Sequence, residues 1–309
     1  MGVIDFILNL AGLLLWLNWR AARLDPLAKR TPATLIGTLR RAEARGAGRW
    51  QVAAALGALL LLRALFYWQI GSALKPVWAG KLDLGAIVLS IPCHETWSGL
   101  GRMIVFSFCS FALALAVFYT WLILLSILAG PDPVQALVRM QLGRVQRWPL
   151  TVKWLLPVVL GAAAWWLASW VLAGLQIIPL PSSAARRLAG AFIIGSESYL
   201  TWKLLIAALL VLHLLNRYIY FGKQPFWAYV NQTSQTLLRP VRAILRALWR
   251  GLKPLLPRSL SLRLESDHYS PPIRNLLSSL LNVIGIALVF LLAEGCGSLL
   301  TKLYRDLAG

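Results

Sequence analysis

The sequence predicts an all-α membrane protein, with six transmembrane helices in three hairpins and basic amphipathic cytoplasmic loops. Three observations predict this fold class. The 309-residue chain is 59% hydrophobic and only 14% charged, whereas a soluble domain carries about 25% charged residues. Six apolar runs are long enough to cross a bilayer, which takes about 20 helical residues. The 31 Lys and Arg against 11 Asp and Glu leave a net charge of +20, and the positive charge gathers in alternate segments between the runs. Basicity alone suggests nucleic acid. Basicity in so apolar a chain suggests a bilayer with anionic headgroups instead.

The first run covers residues 3–19. No basic residue precedes it, and Arg20 and Arg23 follow it. A cleaved signal peptide has the opposite polarity, so the run reads as an uncleaved first span. The others cover about 51–74, 103–129, 154–178, 199–221 and 275–300. They are continuous rather than alternating, which favours helices over a barrel. Residues 1–101 form an N-terminal hairpin with its outer loop. Residues 102–180 form a second hairpin, and 181–309 a third with a long basic loop. The outer loop 75–101 contains the alternating string LDLGAIVLS, read as an extended segment on the outer surface.

Loops 20–50, 130–153 and 222–274 hold 8, 4 and 9 basic residues, while the opposite side holds 7 in all. The positive-inside rule places these three loops in the cytoplasm and both termini outside, as in a multi-pass protein of a bacterial inner membrane. Trp16, Trp19, Trp50, Trp148, Trp154, Trp202 and Trp227 fall near span ends, where indole rings prefer to lie.

The basic loops resemble one another. The first has Asp25-Pro26 before RTPATLIGTLRR. The second has Asp132-Pro133 before VQALVRMQLGR, and the third Gln224-Pro225 before FWAYVNQTSQTLLRP. Each starts with a Pro, which suits the first position of a helix, and the set reads as an internal repeat. In the third loop, Leu237, Val241, Ile244, Leu245 and Leu248 keep helical spacing. Arg239, Arg242, Arg246 and Arg250 fall largely opposite them. This is a basic amphipathic stretch suited to binding lipid headgroups. Pro240 is expected to end one helix and begin another.

The segment FGKQPFWAYVNQTSQTLLRPVRAIL (221–245) resembles the YggT family, called YlmG in some lineages. The matching residues are Pro225, Phe226, Asn231, Thr233, Leu237, Leu238, Arg239 and Pro240. The unit from Tyr119 to Leu160 looks like a more diverged copy, so the resemblance covers about 103–300, with the N-terminal hairpin an addition. One departure stands out. The family's second helix commonly opens with an Asp-x-Ser/Ala-Pro signature, whereas here Asp267, Pro271 and Pro272 are spaced differently. A similar string, KLDLGAIVLSIP, lies instead at Lys81–Pro92. The resemblance implies a membrane protein linked to envelope organisation, osmotic tolerance or division. Chloroplast relatives help assemble a photosynthetic cytochrome complex. It implies no catalytic chemistry.

Ionisable and polar residues within spans are costly and are functional candidates. Arg63 lies midway along the second span and is expected to pair, to face a polar cavity or the bundle interior, or to snorkel toward an interface. Lys203 and Glu294 lie at similar depth in the fifth and sixth spans and are expected to pair. His213 and Asn216, one turn from Arg217, suit a hydrogen-bonded packing role better than a proton relay. Cys93-His94-Glu95 superficially suggests a metal or nucleophile cluster, but adjacent residues diverge and no second cluster supplies ligands. Three scattered cysteines give no disulfide framework. No catalytic or metal motif and no phosphate-binding loop is present. The chain is therefore read as non-enzymatic, without cofactor or metal. Its expected partners are the anionic bilayer and other membrane proteins, with nucleic acid disfavoured. Gly295 and Gly297 are read as a helix-packing surface. The leading function is a scaffold or assembly factor of the YggT type. The alternative is a small channel or transporter using the intramembrane polar groups.

Overall fold

The computed structural model describes residues 2–24, 49–73, 78–85, 87–93, 96–128, 138, 141–178, 183–219, 225–252 and 271–308. Eight α-helices, two 3₁₀ turns and one β-hairpin are the elements among the described residues. Helix α1 covers Gly2–Leu24 and α2 Arg49–Ala73. The strands β1 (Ala79–Asp83) and β2 (Val88–Pro92) follow. Then come α3 (Trp97–Ile127), α4 (Leu150–Gly174), α5 (Ala184–Glu197), α6 (Trp202–Tyr218), α7 (Pro225–Leu252) and α8 (Pro271–Ala308). Six stretches are long and apolar enough to span a membrane: Gly2–Arg20, Trp50–Ala73, Trp97–Ile127, Leu150–Gly174, Ala184–Asn216 and Val283–Leu307. The chain is an all-α membrane protein.

Helices α1, α2 and α3 pack as one group, and α4 and α5 pack lengthwise as a second. The second contact is made by glycine. A Cβ on Gly195 would stand 2.5 Å from the Val158 carbonyl oxygen and 2.9 Å from the Ala162 nitrogen. One on Gly161 would stand 3.0 Å from the Gly195 Cα. The two backbones touch, as membrane helices do where small residues face each other.

The fifth span differs from the run expected at 199–221. It begins at Ala184 and is broken by a 3₁₀ turn at Ser198–Thr201. Its polar residues hid it. Arg186, Arg187, Ser196, Glu197 and Ser198 depress the local apolarity, yet the structure accommodates them. The Arg187 guanidinium lies 4.4 Å from the Trp170 ring centroid and 5.8 Å from that of Trp166, and Glu197 is buried.

The 75–101 loop also differs from expectation. Its extended part is an antiparallel hairpin pairing Gly80 with Ile91, Lys81 with Ser90 and Leu82 with Leu89. It does not simply lie over the outer surface. Leu82, Leu89 and Ile91 share one apolar cluster with Ala64 and Tyr67 of α2, Met103 and Phe106 of α3, Trp165 and Leu172 of α4, and Ala191 and Ile194 of α5. The hairpin joins the two helix groups. Alternation drives this placement, because the pleat sends Leu82, Leu89 and Ile91 inward and Lys81, Asp83 and Ser90 outward. Its base is closed by Cys93 N–H donating to the Trp78 carbonyl (3.1 Å) and tied to α2 by Trp78 N–H donating to the Gly71 carbonyl (3.3 Å).

A third correction concerns Pro240, which neither ends nor restarts a helix, since α7 runs unbroken through it. Proline removes one backbone donor, but the preceding turns are anchored to α6. Ser234 Oγ donates to the Leu209 carbonyl (3.0 Å), and Val230, Thr233 and Leu238 are buried. The first-loop motif (25–48), Asp132-Pro133, Gln224 and the Asp267 signature lie outside the described residues, as do the side chains of Arg217, Arg242, Arg246 and Arg250.

Candidate functional site

A polar cluster inside the bundle surrounds Arg63, whose side chain is 1% exposed. Arg63 lies on α2, ten residues before its last residue, Ala73. One terminal nitrogen donates to Asp5 Oδ1 at 2.6 Å and to Ser110 Oγ at 2.8 Å, and the other donates to Asn9 Oδ1 at 2.7 Å. Asp5 and Asn9 are one turn apart on α1, and Ser110 is on α3. Tyr67, one turn from Arg63 on α2, donates its hydroxyl to the same Asp5 oxygen at 2.5 Å. The guanidinium also faces the rings of Tyr67 (5.5 Å) and Phe106 (5.8 Å), an arrangement that favours a desolvated cation.

Three helices therefore contribute to one charge-neutral cluster. The helical repeat explains it: Asp5 and Asn9 are spaced i, i+4, as are Arg63 and Tyr67, so each pair shares a face. Sequence reasoning picked out Arg63 but missed Asp5, Asn9, Tyr67 and Ser110. The available signal was Asp5 itself, an acid inside the first apolar run.

The second pair, Lys203 and Glu294, lies on α6 and α8. Lys203 Nζ is 3.3 Å from Glu294 Oε1, with the two side chains 29% and 75% exposed. So open a pair contributes little. Replacing Glu294 by Gln should lower stability by less than about 1 kcal/mol, measured by denaturant titration in detergent micelles. A loss several times larger would give the pair a structural weight that its exposure does not predict.

His213 Nδ1 is 2.8 Å from Asn231 Oδ1 and ties α6 to α7. Asn231 and Thr233, two residues of the family-like motif, thus lie at a helix contact, and Thr233 is fully buried. Leu238 is buried beside Gly285 of α8, where an added Cβ would come within 2.8 Å of it. Phe226 and Arg239 are exposed and Leu237 is half-buried. Of the glycines expected to pack helices, Gly297 approaches Leu200, while nothing lies within 4 Å of where a Gly295 Cβ would stand. Cys93 is buried, its thiol within 3.5 Å of the Tyr67 and Trp68 carbonyls, and burial raises its pKa. His94 and Glu95 lie outside the described residues. Among the described residues no group of three His, Cys, Asp or Glu could hold a metal ion.

A further contact was not foreseen. The hairpin tip at Gly85 (φ +89°) meets the Glu197 carboxylate, at the end of α5. The turn is held by Gly85 N–H donating to Asp83 Oδ1 (2.8 Å) and Leu84 N–H to the Ile87 carbonyl (2.9 Å). Glu197 is 4% exposed, whereas the tip at Gly85 is itself exposed.

No family model, curated protein or solved structure matches this chain.

Proposed function

We propose that this chain is a non-enzymatic scaffold or assembly factor of a bacterial inner membrane, of the YggT type, acting in envelope organisation, division or osmotic tolerance. On this reading the three basic loops are cytoplasmic and both termini lie outside. The loops and their flanking hairpins derive from a repeat, and α7 lies along the inner leaflet with Arg239, Arg242, Arg246 and Arg250 toward lipid headgroups.

The observation that carries the proposal is the clamping of the Arg63 terminal nitrogens, although its buried Nε has no partner among the described residues. Both terminal nitrogens of this intramembrane cation are taken up by α1 and α3. A group so clamped holds helices together and is poorly placed to hand ions along a path. The strong amphipathicity of α7 supports a membrane-surface role.

A channel or transporter is the second reading, favoured by one feature. A strand hairpin sits among candidate spans with Lys81, Asp83 and Ser90 on its exposed face. Non-helical backbone at membrane depth persists where protein or water satisfies it.

Flux into liposomes separates the two. The scaffold reading expects ion leakage no faster than in protein-free vesicles, together with co-purification of defined membrane proteins in mild detergent. Flux well above the vesicle background would overturn it in favour of the channel.

A further inference from the structure

The region where α1 ends and α4 begins carries positive charge without acidic compensation. Between Asp132 and Glu197 the sequence contains no Asp or Glu. Within that interval a 3₁₀ turn, Gly143–Arg147, precedes α4. A 3₁₀ helix has three residues per turn, so side chains at i and i+3 eclipse. Arg144 and Arg147 are spaced in this way, so two guanidiniums project from one face. They line a cavity of about 630 Å³ together with Gly143 and Gln146. Neither pairs with a carboxylate among the described residues. Both side chains are exposed, so their guanidiniums are open to an anion.

Two neighbours add to the positive potential. Arg20 on α1 donates to the Gln141 carbonyl at 2.9 Å, which brings its guanidinium beside this turn. Its other terminal nitrogen donates to the neutral Tyr119 hydroxyl at 3.0 Å. Lys153, in the first turn of α4, is 7% exposed. Neither has a carboxylate partner among the described residues. Gln146 Oε1 is enclosed without a hydrogen-bond partner among the described residues, and turning the amide over offers its NH₂ group to an anion instead. Exposed Trp148, Leu150 and Trp154 flank the turn, the kind of residues that sit at a headgroup boundary.

We infer that Arg144 and Arg147 form a discrete phosphate-binding site, with Arg20 beside it, for the headgroup phosphate of an anionic lipid. Guanidinium forks match phosphate oxygens in pairs, and the flanking indoles and Leu150 would hold the acyl chains. The site lies in the second basic loop rather than on α7. It adds a localised ligand to the membrane-surface part of the proposed function without depending on the scaffold role.

The full-length chain in detergent can be titrated with short-chain phosphatidylglycerol, short-chain phosphatidylcholine or inorganic phosphate, following intrinsic tryptophan fluorescence and thermal midpoint. Phosphatidylglycerol should raise the midpoint and phosphatidylcholine should not. Arg144→Gln/Arg147→Gln should weaken the apparent affinity about tenfold or more, at roughly 1 kcal/mol per basic contact. Arg144→Lys/Arg147→Lys should retain part of it, which controls for misfolding. A comparable response to inorganic phosphate would keep the phosphate site but make its ligand a free anion. Equal responses to the two lipids, or an unchanged response in the Gln variant, would overturn the proposal.

Discussion

Replacing Arg63 by Met is expected to destabilise the protein by about 3 kcal/mol, the lower end for a broken buried pair, because it leaves the half-buried Asp5 carboxylate (22% exposed) with the Tyr67 hydroxyl but no cation. The guanidinium makes three charge-assisted or polar hydrogen bonds to α1 and α3, and no other cation contacts Asp5 among the described residues. Asp5→Leu should be comparably harmful for the mirrored reason, an orphaned guanidinium. The decisive variant is the double substitution, Asp5→Leu/Arg63→Met. It removes both charges and should recover most of the loss, since replacing a buried ion pair by apolar residues is often neutral or stabilising. Chemical unfolding in micelles gives the four free energies of the cycle. A double variant as unstable as the sum of the singles would mean that Asp5 and Arg63 do not act as a pair.

The second large effect is expected at Gly85. The residue has φ +89°, and an added Cβ would collide with the Glu197 carboxylate. Gly85→Val combines a strained backbone, costing about 1–3 kcal/mol, with a steric clash against a buried side chain. The hairpin should lift from between the two helix groups, and Cys93 reports this directly. Its thiol is fully buried under the hairpin base. In a Cys109→Ser/Cys296→Ser background, a water-soluble maleimide should label Cys93 at least about tenfold faster in the Gly85→Val variant, the factor for about 1.4 kcal/mol. Unchanged labelling would mean that the tip does not hold the hairpin in place.

The helical membrane class was legible in the sequence because it rests on composition and run length, which need no knowledge of contacts. Five of the six spans were recognisable on the same ground. The fifth was displaced because Arg187 and Glu197 look like loop residues until the tryptophans of α4 and the hairpin tip appear beside them. Pro240 shows the same limit in reverse. A local breaker was overridden by tertiary packing on α6, which no local rule reports. The hairpin's strands were foreshadowed by the alternation in LDLGAIVLS. Their insertion between α2–α3 and α4–α5 depends on surfaces contributed by segments up to about a hundred residues away. At the Arg63 cluster, sequence supplied the cation and the i, i+4 rule explains the grouping. Which helix supplies the carboxylate is a matter of three-dimensional adjacency.

The placement of Asp5 also bears on how such a chain is made. A ribosome delivers the first helix before the second, so the carboxylate already waits in the bilayer when the segment bearing Arg63 emerges. A lone arginine at the centre of a new segment raises the cost of insertion by roughly 2.5–3.5 kcal/mol on translocon scales. With Asp5 in place, the newcomer meets its counter-ion on arrival. Reversing that order, by moving the first helix to the far end of the gene, would ask the insertion machinery to accept the cation alone.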